Sequence, residues 1–252
     1  MFGAMNRYKA SLTHFGISLF VAGLVYLAVR YLWYPGPLFE VAGGLELLLI
    51  IISVDVTLGP LITLIIFKPG KWGLKFDLAV IGIVQVTALL YGLYSIAESR
   101  PVYITFVKDR FELVRAGELD DADIAQGAPG FRSLSWFGYR LAGARLPKDP
   151  KEQLKHMDLA ILGGKDVHMF PKLYVPYAQV APDAARVAAP MEKLRKLNPE
   201  SVAEVDDLVR RAGGEGEIGF LPMRAGKRDM SVVVRRKDGA VVALLPLRPW
   251  EY

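Results

Sequence analysis

The sequence predicts a membrane α-helical bundle of three transmembrane helices in residues 1–98, followed by a soluble α+β domain with a mainly antiparallel sheet in residues 101–252. Three observations predict it. Of the 252 residues 52% are hydrophobic, and the mean hydropathy is positive, at +0.28. The long apolar runs all fall in the first hundred residues, while the remainder has an ordinary globular composition. Beyond residue 101 the pattern changes to short alternating stretches bounded by turn residues, the period of half-buried strands.

The first span reads about 15–33, the second about 41–67 and the third about 77–97. Each is near the roughly 20 residues that cross a hydrocarbon core of about 30 Å. Three buried core helices are the other reading of such runs, and the tail offers little to cover them. Arg7 and Lys9 resemble the n-region of a signal peptide. No small-x-small cleavage site follows the run, so the first span reads as an uncleaved anchor; Met1 and Met5 both stand open as starts.

Orientation follows the placement of Lys and Arg near span ends. Arg7 and Lys9 precede the first span, and Lys68, Lys71 and Lys75 fill the loop between the second and third. The loop between the first two, YPGPLFEVAGG, has neither. The N-terminus and the 68–76 loop therefore read as cytoplasmic and the tail as periplasmic. Tyr31, Trp33 and Tyr34 suit the outer interface and Trp72 the inner one.

Charge and composition exclude several classes. Residues 1–99 hold six Lys/Arg and five Asp/Glu, so the net +5 lies mostly in the tail. It is spread thinly there, without the dense basic and aromatic cluster of a nucleic-acid binder. The absence of cysteine excludes disulfides, thiolate metal sites and a cysteine nucleophile.

The second span carries the candidate site, within SVDVTLGP. Asp55 falls near the bilayer midplane at about 1.5 Å per residue. Exposed to lipid, it would cost several kcal/mol or take up a proton, so it should face a neighbour. Asp55, Gly59 and Thr63 share one small, polar stripe. Pro60 removes a backbone donor, freeing the Val56 carbonyl and favouring a kink. On the third span Gly82, Gln85, Leu89 and Gly92 form a matching stripe. Counting outward from the loop around Trp72 brings Gln85 within a turn of Asp55's depth, making it the expected hydrogen-bond partner. Gly16 and Gly23 are the expected close-packing face of the first span. Glu46 is out of phase with Asp55 and near the outer interface.

In the tail, 102–107 and 110–114 read as strands, ELDDADIAQG as a short acidic helix, and 137–146 as a third strand. Residues 151–162 and 182–197 read as helices, with a further helix to Arg211 ended by Gly213 and Gly214. GFLPMR, DMSVVVRR and AVVALLPLRPW read as three strands, the last two joined at Lys237-Asp238-Gly239. His14, His156 and His168 form no convincing acid-base or metal site, although Asp158 and Asp166 lie near the latter two. Gly163-Gly164-Lys165 lacks the remainder of a phosphate loop. KLYVPY fits either an aromatic surface or a core. Neither an enzymatic activity, a metal nor a cofactor is expected.

The segments MNRYKASLTHFGIS, DVTLGPLITLIIFKPGKWGLKFDLAVI, SRPVYITFVKDRFELVRA and KRDMSVVVRRKDGAVVALLPLRPW together resemble the type IV pilin accessory proteins of the TfpX/TfpZ kind. The resemblance implies a multi-pass protein of the bacterial inner membrane, chaperone-like, that helps a cognate pilin reach the surface as pili. Its implied partners are that type IV pilin, the pilus assembly platform and membrane lipid; no catalytic residue carries over. Asp55, Gly59, Pro60, Thr63 and Gln85 then read as fixing the bundle or as a face for the pilin's membrane helix. A transport or signalling subunit using Asp55, and a membrane-anchored periplasmic enzyme, are the alternatives.

Overall fold

The computed structural model describes residues 5–147, 149–154 and 164–251. Its first part is helical. Helix α1, Arg7–Ala28, is capped by the Asn6 side chain, which accepts from the Lys9 amide at 2.9 Å, and runs on through a π-helical turn, Val29–Trp33. A one-turn helix α2, Leu38–Val41, leads into α3, Gly44–Ile66, and α4 is Leu74–Ser99. Among the described residues, three helices are long and apolar enough to cross a membrane: 7–33, 44–66 and 74–99. These extend the first and third expected spans outward into their polar flanks.

Helix α3 is central, with α1 against one side and α4 against the other. The contact between α1 and α3 uses Ala10, Ser18, Ala22 and Val25, all buried on α1. Gly16 and Gly23 were the expected packing face, and this is corrected: a Cβ at either would meet no atom within 4 Å. Gly16 lies two residues from Ser18, about 200° around the helix, and so points away from α3.

The second part is a seven-stranded sheet in the order β4-β3-β1-β2-β5-β6-β7. Its strands are β1 Pro101–Val107, β2 Arg110–Arg115, β3 Arg140–Ala144, β4 Tyr174–Pro176, β5 Ile218–Arg224, β6 Met230–Arg235 and β7 Val241–Leu245. The β1–β2, β3–β4, β5–β6 and β6–β7 pairs are antiparallel, whereas β1–β3 and β2–β5 are parallel. The sheet is thus mixed, not purely antiparallel. Each parallel pair joins strands far apart in the chain, β1 and β3 across 108–139 and β2 and β5 across 116–217, a return in the same direction that no hairpin can make.

Alternation sorts the two faces. Leu221, Met223, Val232 and Val234 join Val29, Tyr34, Leu38, Leu48 and Ile96 in one buried cluster, so the sheet rests on the ends of the apolar helices. Phe220, Val233 and Leu245 instead pack with Met191, Leu194, Val205 and Val209 from helices Met191–Leu197 and Val202–Ala212. The helix expected over 182–197 is two helices, Ala181–Val187 and Met191–Leu197. Pro190 breaks it, and Ala189 there bridges to Phe220. KLYVPY contributes the edge strand β4, with Tyr174 buried against Tyr103 and Phe131. Most of the helix expected over 151–162 lies outside the described residues.

Candidate functional site

Helix α3 presents two different sides, and the stripe predicted on it divides between them. Towards α4, the Gln85 amide Nε2 donates to Asp55 Oδ1 at 3.0 Å and to the Asp55 carbonyl at 3.2 Å. Gly59, one turn further on, makes this reach possible. A Cβ there would lie 2.1 Å from Gln85 Nε2 and 2.6 Å from its Cδ, so any side chain would evict the amide. Gly92 similarly gives way to Ile51, whose side-chain carbons lie 2.7 Å and more from where its Cβ would be. Gly82 has open space instead, and takes no part in the contact.

Towards α1, Ser11 Oγ donates to the Pro60 carbonyl at 2.9 Å, and His14 Nδ1 lies 2.7 Å from Thr63 Oγ1. Gly59, Pro60 and Thr63 are all buried. Asp55 and Gly59 therefore serve α4, while Pro60 and Thr63 serve α1. Helix α3 is continuous through Pro60. His14 is the polar residue that the sequence reading missed: a signal was present, since Ser11, His14 and Ser18 recur at helical spacing on one face. The other hydroxyls of α3 are satisfied locally, Thr57 Oγ1 on the Ser53 carbonyl at 2.5 Å and Ser53 Oγ on that of Ile50 at 2.9 Å.

Around the Asp55–Gln85 rung runs a groove of about 690 Å³ between α3 and α4. It extends from Leu47 and Ser95 at one end to Ile66 and Phe76 at the other. At about 1.5 Å per residue that is roughly 29 Å, a full hydrocarbon thickness. Its walls are almost entirely apolar, with Val54, Leu58, Val84 and Ala88 flanking the rung. Asp55→Leu is expected to leave Gln85 with only the backbone carbonyl of residue 55 as acceptor and to destabilise the α3–α4 contact by about 1–2 kcal/mol, whereas Asp55→Asn keeps a side-chain acceptor oxygen and most of the stability. Thermal unfolding in detergent, followed by helix loss, reads the difference.

The end of the helices that meets the sheet is closed by Tyr34. Its ring is fully buried against Gly44, where a Cβ would sit 2.9 Å from the ring, so this tyrosine is a plug rather than the interfacial residue expected from its position. Burial pushes its hydroxyl up to about 12, offset in part by the positive charge of Arg115 and Arg100. Glu46, at the same end of α3, pairs with Lys227 from the β5–β6 connection. This contact joins residues 181 apart in sequence.

Elsewhere the candidates disperse. His168 Nδ1 lies 3.9 Å from Asp166, and Lys165 is held by Asp120 and Asp123. His156, Asp158 and Gly163 fall outside the described residues. No group of three or more metal-ligating side chains occurs among the described residues.

Residues 3–43 match the model of the family described as fimbrial assembly protein FimB. Two fimbrial assembly proteins of Dichelobacter nodosus align over almost the whole length. That of serogroup I is 29% identical, covering 96% of each chain; that of serogroup E1 is 28% identical, covering 95% of this chain and 93% of its own. The protein of serogroups C1 and C2 is 36% identical over 114 residues, which is 86% of that relative and 44% of this chain. The chain belongs to the fimbrial assembly protein family. This is the type IV pilin accessory family that its sequence resembles. No solved structure matches the chain.

Proposed function

We propose that this family member assists fimbrial assembly by holding a cognate type IV pilin subunit in and above the inner membrane before it enters the pilus. The observation that carries the reading is the α3–α4 groove. It is as long as a bilayer is thick, lined by apolar side chains, and crossed at mid-depth by a single polar rung. Those are the dimensions and chemistry of a seat for one apolar transmembrane helix. Such an occupant would pack against the apolar walls and would find an Asp55 carboxylate oxygen already holding the Gln85 amide.

The membrane orientation completes the proposal. Lys68 and Lys71 lie in the α3–α4 turn, and Arg7 and Lys9 open α1; the positive-inside rule supports a cytoplasmic side for both. The sheet then stands in the periplasm, on the side where a pilin head would project. Its direct seating on the helix ends, through the cluster of Tyr34, Leu38 and Ile96, lets one rigid body address the membrane helix and the head together. The family's role in fimbrial assembly supports the class of partner.

The test is co-purification in mild detergent from cells that express both proteins. Pilin is expected to elute with the affinity-tagged chain. Recovery of the folded chain free of pilin, with pilin abundant in the same membranes, would contradict the proposal.

A further inference from the structure

The loop before β3, Ser133 to Gly138, carries two large aromatic side chains that the sheet domain does not bury. Trp136 and Phe137 are 67% and 68% exposed. In a water-soluble domain two adjacent side chains of this size, left bare, are costly: burying each is worth about 1.5–3 kcal/mol. Their neighbours in space are the ends of two membrane helices. The Gly138 amide donates to the Leu32 carbonyl, at the last turn of the first span, at 2.7 Å. Arg100, the residue immediately after α4, donates to the Ser135 carbonyl at 3.5 Å and sets its guanidinium 5.1 Å from the centre of the Trp136 ring.

The loop is also fixed internally. Ser135 Oγ donates to the Phe137 carbonyl at 2.6 Å, and the Phe137 amide lies 3.2 Å from the same oxygen, so the turn presents its aromatic pair in a set direction. Helices α1 and α4 run parallel to one another, each opposed to α3, so the turn at Leu32 and the end of α4 at Ser99 emerge on one side of the membrane. A loop bonded to both ends lies at their depth. That depth is the headgroup region, where Trp side chains concentrate because one edge is polar and the remainder apolar.

We infer that Trp136 and Phe137 insert into the lipid headgroup region, making the 133–138 loop a further membrane anchor of the sheet domain, alongside the three spans. This contact is distinct from the α3–α4 groove and does not depend on what the groove holds. Its physical effect is to stop the sheet tilting on its helical stalk. The domain is held to the bilayer through the loop on one flank and through the Glu46–Lys227 pair at the head of α3.

The absence of native cysteine makes the test direct. Phe137→Cys and, separately, Trp136→Cys carry a nitroxide, with Arg186→Cys, on the exposed surface of a helix in the sheet domain, as the aqueous control. The full chain is reconstituted without pilin into phosphatidylethanolamine and phosphatidylglycerol vesicles. Collision of the label with lipid-soluble oxygen is compared with collision with a water-soluble nickel chelate. At 137 and 136 the oxygen-to-nickel ratio is expected to exceed that at 186 several-fold, and to stay below that of a label at Phe20, a lipid-facing position of α1. Ratios at 137 and 136 equal to the ratio at 186 would overturn the inference and leave the loop as a surface open to water or to a protein. If one labelled variant fails to reconstitute, the other decides.

Discussion

Gly59→Leu is expected to reduce surface pili to the level of a strain lacking the gene, while Gly16→Leu leaves them at the wild-type level. Both glycines sit in transmembrane helices, and helix propensity treats them alike. Their surroundings separate them. At Gly59 a Cβ would fall 2.1 Å from Gln85 Nε2, whereas at Gly16 there is no atom within 4 Å. A leucine at 59 displaces Gln85, breaks its bonds to Asp55, and fills the groove at its polar rung. The overpacking alone costs about 1–3 kcal/mol, and the lost interhelical hydrogen bond adds roughly 1 kcal/mol. Immunoblotting of pilin sheared from the cell surface, with blotting of the chain itself in membranes, separates loss of function from loss of protein.

Gly239→Ala is expected to destabilise the sheet domain by about 3 kcal/mol, and Gly216→Ala by less than about 0.5 kcal/mol. Gly239 turns the β6–β7 hairpin with a φ of +72°, a region that costs an L side chain about 1–3 kcal/mol. Its missing side chain also makes room for backbone. A Cβ would lie 1.8 Å from the Ala181 carbonyl oxygen and 2.4 Å from its carbon, atoms that cannot swing aside as a side chain can. The clash would pull on Tyr177, whose hydroxyl donates to the Gly239 carbonyl at 2.6 Å. Gly216 has open space within 4 Å and a permissive backbone. Protease susceptibility against temperature, in detergent, measures both variants.

The membrane half was the more legible in the sequence because long apolar runs have few alternative fates. The Asp55–Gln85 rung followed from arithmetic: a short turn between antiparallel helices fixes relative depth, and a midplane carboxylate must find a donor. What escaped were contacts whose residues have a second plausible home. His14 near a helix end could equally lie among headgroups, and only the fold puts it 2.7 Å from Thr63. Tyr34 has the look of an interfacial aromatic, but Gly44 opens a slot that takes it inside. Gly16 and Gly23 were misassigned because a bare backbone marks a close contact only when a helix lies on that side, and α3 lies on the other.

In the sheet domain, hairpins announced themselves and parallel pairings did not. The β6–β7 turn carries Lys-Asp-Gly between two alternating runs, a local signal. The β1–β3 and β2–β5 pairs depend on long connections, and nothing in the five to seven residues of such a strand encodes its neighbour. The one-turn helix Leu38–Val41 carries no sequence signal because four residues cannot show a 3.6-residue period, yet Leu38 is fully buried at the junction of the two halves. Contacts such as Glu46 with Lys227 have no sequence signature at all.

The groove as a seat for a pilin helix is tested most directly by site-specific photo-crosslinking in living cells. A photoreactive amino acid at Val84 or Leu58, both lining the groove, is expected to give a pilin-sized adduct recognised by pilin antibody. The same amino acid at Phe20, on the outward face of α1, is expected to give none. An adduct from Phe20 with none from Val84 or Leu58 would contradict the account.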